Sequence, residues 1–180
     1  MGDAEGGLAV YAAVAAAAYF LGVLLGYIAP SERLVEEVQR GLGYLTSLHG
    51  LASAAVMYAN NAAFAVLLEL GSLLVLPGVM LLAFNGYVLG SLASVFLPEH
   101  GAGLLLAALL PHGVVELPAY MLAAGGGLQC ARSIYRGGFS FERLAARCLG
   151  LLYPVLLLLL AAAFLEEYVT PRVVSAVVGG

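Results

Sequence analysis

Four long apolar stretches, residues 8–29, 52–97, 104–127 and 149–168, set what this chain can fold into. A helix needs about 20 mainly apolar residues to cross the hydrocarbon core of a bilayer. It also satisfies its own backbone hydrogen bonds, which lipid cannot do. The rest of the composition agrees. Hydrophobic residues make up 63% of the 180-residue chain and charged ones 10%, against about 25% charged in a soluble domain. Mean hydropathy is +1.01. The expectation is one all-α integral membrane domain over residues 1–180, a polytopic helix bundle whose first partner is the lipid bilayer. All seven basic residues are Arg and the net charge is -4, which argues against nucleic acid as a partner.

Punctuation in the sequence divides the apolar runs. The first span, 8–29, ends at Pro30. The acidic leader from Met1 to Gly7 lacks the positive segment of a secretory signal, so the span reads as a retained anchor. Over 31–48, Leu34, Val38, Leu42 and Leu45 recur at helical spacing. Arg33 with Glu37 and Glu36 with Arg40 form i,i+4 pairs, so a short amphipathic helix at the interface is expected after the first span. The 52–97 stretch is too long for one crossing. Pro77-Gly78 predicts a turn between spans 52–76 and 77–97. Pro98 to Gly103 then turns the chain into a fourth span, 104–127, interrupted by the helix-breaking Pro111 and Pro118 and closed by Gly125-Gly126-Gly127. A basic loop, 128–148, with a turn at Gly137-Gly138, leads to the last span, 149–168. Its helix is expected to begin near Ser140 and to bend at Pro154.

Five crossings put the N-terminus on the same side as Arg132, Arg136, Arg143 and Arg147, and leave Arg33, Arg40 and Arg172 opposite. The positive-inside rule then predicts a multi-pass protein of the plasma membrane with a cytoplasmic N-terminus and an external C-terminus. Cys130 and Cys148, in the basic loop, are too few for a disulfide framework and too far apart for a CxxC motif; they read as free thiols. Gly22 with Gly26 and Gly86 with Gly90 permit close helix packing, either within the chain or in a homo-oligomer, with a dimer favoured.

Polar residues inside the spans are costly and mark where a membrane protein does something. The chain places Asn60, Asn61 and Glu69 in the second span, Asn85 in the third, His112 and Glu116 in the fourth, and Glu166 near the end of the fifth. His112 and Glu116 stand four apart, on one helix face, with a proline on either side. Three readings compete for this set. It can be a structural hydrogen-bond network, a path for a solute or proton, or, with a second carboxylate beside His112, a metal site. No HExxH, GxSxG or glycine-rich phosphate loop is present, so no catalytic residue, metal or cofactor is assigned.

The segment Pro111-His112-Gly113-Val114-Val115-Glu116-Leu117-Pro118-Ala119 closely resembles the PHGxxExPA signature of the stage II sporulation protein M family. Asn60-Asn61, Asn85-Gly86 with Gly90, and Ala162-Ala163 followed by Glu166 and Thr170-Pro171 resemble further elements of that family in the same order. The resemblance implies a helical membrane protein of about five spans. It also implies a role like that of the namesake, a membrane-embedded scaffold working with a cell-wall hydrolase complex during engulfment. The leading expectation is therefore a non-enzymatic scaffold or envelope-remodelling protein with membrane or envelope proteins as partners. A transporter or channel is the alternative, and a metal-dependent intramembrane enzyme the third reading.

Overall fold

The computed structural model describes the backbone of residues 2–46, 48–136 and 140–179; the side chains of 2–7, 42–46, 141, 143 and 144 lie outside the described residues, as does the expected turn at Gly137-Gly138. The described chain is entirely helical: α1 (Gly2–Ile28), α2 (Glu32–Thr46), α3 (Leu51–Leu73), α4 (Leu76–Tyr135), α5 (Phe141–Tyr168) and α6 (Thr170–Val178). Four stretches are long and apolar enough to cross a membrane: Leu8–Ile28, Leu51–Leu73, Leu76–Tyr135 and Ala145–Val178.

The third of these cannot be a single crossing. Sixty residues of straight helix would be about 90 Å long. The break is Gly101, with φ 78 and ψ 165, a backbone region open essentially to glycine alone. Two contacts show that the chain reverses there. Gly78 lies against Ser72 of α3, and Gly127 lies against Glu69 and Ser72 of the same helix. The two arms of α4, 76–100 and 102–135, therefore form a hairpin, each arm long enough to cross by itself, which makes five candidate spans among the described residues. Pro98, expected in the turn, is instead the last proline of the first arm.

The α3–α4 turn falls at Leu74 and Val75, two residues before the expected Pro77-Gly78. Pro77 sits in the first turn of α4, where its missing N–H had no helical partner to lose. The sharp reversal is carried by Val75 at φ 66, a left-handed conformation that crowds a β-branched side chain. Val75→Gly is expected to raise stability by about 1 kcal/mol, read as a later unfolding midpoint in detergent.

Packing of α1 on the first arm of α4 follows from glycine on both sides. A Cβ on Gly22 or Gly26 would strike the backbone at Ala83 or Tyr87, and one on Gly86 or Gly90 the backbone at Tyr19 or Val23. The two Gly-xxx-Gly pairs thus face each other, and the helices run parallel with their backbones nearly touching. Tyr87 OH donates to the carbonyl of Ala29 at 2.7 Å, fixing the end of α1.

Gly125, Gly126 and Gly127 were expected to close a helix, but they lie within α4, which continues to Tyr135. Each admits a different neighbour. A Cβ on Gly125 would meet Ala12 of α1, one on Gly126 would meet Leu151 of α5, and one on Gly127 the backbone of Glu69 in α3. The helix persists because Leu128, Cys130 and Ala131 beyond the glycines are still buried. Most of the expected 128–148 loop is therefore helix, and α5 begins at Phe141. Pro111, Pro118 and Pro154 do not break their helices either. Each removes one backbone donor, and tertiary packing tolerates that within a bundle.

In α2, Leu34 and Val38 of the expected apolar stripe are half-buried, and the side chains of Leu42 and Leu45 lie outside the described residues. Val35 is buried, while the Arg33–Glu37 and Arg40–Glu36 pairs, 3.5 and 4.0 Å apart, are exposed and worth about 0.5 kcal/mol or less each. Ser31 Oγ accepts the Leu34 N–H at 3.4 Å at the helix start. The core of the bundle is Ala15, Tyr19, Ala65, Leu68, Leu82, Ala119, Tyr120, Ala123, Ala124, Val155 and Leu159.

Candidate functional site

The four sequence pieces that resemble the family's elements come from α3, both arms of α4 and α5, and they meet at one place. Asn60, Asn61, Asn85, His112, Glu116 and Glu166 all line a cavity of about 510 Å³, within the size range of small-molecule sites. Parallel and antiparallel packing explains the convergence. α3 runs beside the second arm of α4 in the same direction, while the first arm and α5 run against it, so residues far apart in sequence reach one depth.

Glu69 does not belong to this group. It faces the opposite end of the bundle, beside Gly127, and is 3% exposed with neither carboxylate oxygen hydrogen-bonded. Glu166, near the end of the fifth span, lines the same cavity as His112 and Glu116. Its neighbour Glu167 accepts the Gly50 N–H at 2.6 Å, tying the start of α3 to the end of α5. Thr170, of the Thr170-Pro171 element, places its hydroxyl 3.5 Å from His112 Nδ1.

Two tyrosines complete the site, and neither was singled out from sequence. Tyr120 stands beside Glu116, and both it and Tyr19 line the same cavity. The signal was available for Tyr120, which stands one helical turn beyond Glu116. For Tyr19 there was none, because α1 carries no other polar group at that depth. Tyr120→Phe removes the hydroxyl beside the Glu116 carboxyl and is expected to cost about 1–3 kcal/mol, measured by thermal unfolding in detergent.

The cavity is asymmetric. Leu106, Leu110 and Val114 line it and are also among the exposed apolar residues, Val114 at 61%, so it opens on the side of the bundle among apolar side chains. Asn60 is likewise exposed. Toward the Gly127 end the core residues Leu68, Leu82, Ala119 and Ala123 are fully buried and close it off. Among the described residues, no three of His, Cys, Asp or Glu gather closely enough to hold a metal ion. The cavity wall brings together two carboxyl groups, an imidazole, three amides and two phenols.

The model of the family described as stage II sporulation protein M matches residues 13–171. No curated protein and no solved structure matches the chain. The matched segment runs from α1 into α6 and contains every residue that lines the cavity, and on that match the chain belongs to the stage II sporulation protein M family.

Proposed function

We propose that this chain is a non-enzymatic scaffold of the plasma membrane, acting during envelope remodelling, that holds a partner membrane protein in the groove formed by α3, α4 and α5. One observation carries this reading: the cavity, walled mainly by apolar side chains with one polar cluster, opens beside exposed Leu106, Leu110 and Val114 and is closed toward Gly127 by fully buried core residues. A conduit needs openings toward both aqueous faces, whereas a docking site needs one opening toward the bilayer. Glu116 and Glu166 oppose a single imidazole there, so the groove complements a transmembrane helix that presents a basic or hydrogen-bond-donating side chain.

The scaffold acts as a homo-oligomer, most simply a dimer. Its glycine pairs are consumed between α1 and α4, so the contact between copies uses another surface. The N-terminus lies in the cytoplasm and the C-terminus outside. Gly125 sits beside Leu8 and Ala12, so the start of α1 shares an end of the bundle with Arg132 and Arg136, in keeping with the positive-inside rule.

A photo-crosslinker at position 60 in native membranes tests the reading. It is expected to capture a polypeptide, and Glu116→Gln with Glu166→Gln is expected to reduce the yield at least about tenfold, the effect of losing a buried charge contact. Proteoliposomes showing saturable solute flux that Glu116→Gln abolishes would overturn it in favour of a transporter, for which the cavity volume is sufficient.

A further inference from the structure

Cys130 and Cys148, unremarkable in sequence, are brought together by the fold. α4 and α5 run antiparallel at this end of the bundle, and Gly126 lets Leu151 approach, since a Cβ there would lie 3.1 Å from Leu151 Cδ1. One turn beyond Gly126 on α4 and one turn before Leu151 on α5, Cys148 Sγ faces Cys130 Sγ at 2.6 Å. Two sulfurs that near each other sit inside ordinary van der Waals contact. Only a small side-chain adjustment separates them from bonding distance. Cys130 is fully buried, whereas Cys148 is partly open.

We infer that Cys130 and Cys148 are a reversible dithiol–disulfide pair that staples α4 to α5 at the Arg-bearing end of the bundle. The oxidant is a low-molecular-weight disulfide, RSSR, and the chemistry is thiol–disulfide exchange. The accessible Cys148, as its thiolate, attacks one sulfur of RSSR and releases the first RS⁻. The neighbouring Cys130, as its thiolate, then attacks Cys148 Sγ and releases the second RS⁻. The two protons lost by the cysteines leave on two RSH, so two thiols and one RSSR become one protein disulfide and two RSH. The asymmetry in exposure assigns the roles: Cys148 meets the reagent and Cys130 resolves the adduct. The bond limits how far α5 can swing from α4 at the end opposite the groove.

The full chain, purified in detergent, tests this. It is treated with oxidised glutathione or with a phosphine reductant, then denatured, alkylated with a maleimide and weighed intact. The reduced chain is expected to take two maleimides. The oxidised chain should take none, weigh two hydrogens less than the reduced unalkylated chain, and recover both thiols on reduction. Cys130→Ser should stop at a glutathione adduct on Cys148, and Cys148→Ser should keep its one thiol unmodified. Two maleimides on the oxidised chain, a lasting glutathione adduct on the unaltered chain, or a disulfide joining two chains would each overturn the pair.

Discussion

Gly90→Val is expected to separate α1 from the first arm of α4 and to cost about 3 kcal/mol or more, the upper range for overpacking a core. The size of the effect comes from what the new side chain would meet. The atoms in its path are Val23 O and Tyr27 N, which belong to the backbone of a helix and cannot move aside as a side-chain tip can. Relief requires the whole of α1 to back away. That retreat also weakens the packing at Gly86, since a shift at one glycine opens the interface for both. It strains the Tyr87–Ala29 hydrogen bond as well. Gly150→Ala is the matched control. Nothing lies within 4 Å of its added Cβ, and alanine is the better helix former, so a gain of up to about 1 kcal/mol is expected. Thermal unfolding of both variants in one detergent gives the comparison. A Gly90→Val protein as stable as the parent would mean that α1 does not rest on α4 through these glycines.

The same glycines show what the sequence made legible and what it concealed. Their spacing announced a close helix contact, but the partner is a matter of three-dimensional register, so nothing in the sequence separated an internal contact from one between two copies. Apolar length located the crossings, because the cost of exposing polar backbone to lipid is large and local. Turn positions were less legible. Proline and glycine are tolerated in the first turn of a helix as well as in a loop, which moved the α3–α4 reversal from Pro77-Gly78 to Leu74-Val75. Gly125-Gly126-Gly127 looked like a helix end because glycine weakens an isolated helix, yet here three neighbouring helices need the space those missing side chains leave.

The candidate site was more legible than the turns. Six of the seven polar residues placed in the spans line one cavity, because each is too costly in lipid to face it unpartnered. For Glu166 the expected end of the last span was met, since α5 ends at Tyr168, but the apolar segment continues through α6 to Val178, so the end of α5 is not the end of the bundle. Tyr19 was hidden because tyrosine is equally at home in a core, whereas Tyr120 was readable from its place one helical turn beyond Glu116. Sequence could not pair Cys130 with Cys148, since their meeting depends on the antiparallel register of α4 and α5.

Glu69→Met is expected to stabilise the protein by about 1–3 kcal/mol. The carboxyl is buried, and neither oxygen has a hydrogen-bond partner. A buried polar group without partners carries its full desolvation cost, and an apolar side chain of similar length removes that cost while filling the same space. Glu69→Gln separates the two contributions. It lowers the cost of burying a charge but keeps an unpartnered polar head, so its gain should be smaller than that of methionine. The order expected in thermal unfolding is Met above Gln above the parent. The reverse order, with both variants weaker than the parent, would show that the carboxyl is held by a partner in the folded protein and that this end of the bundle contains a second polar site. At this residue the backbones of α3 and α4 are in close contact, Gly127 lying against the Glu69 carbonyl, and the Glu69 side chain is 3% exposed. A bundle that stores this much unfavourable energy at one residue can gain stability there without touching the cavity, so crosslinking at position 60 should be unchanged in Glu69→Met.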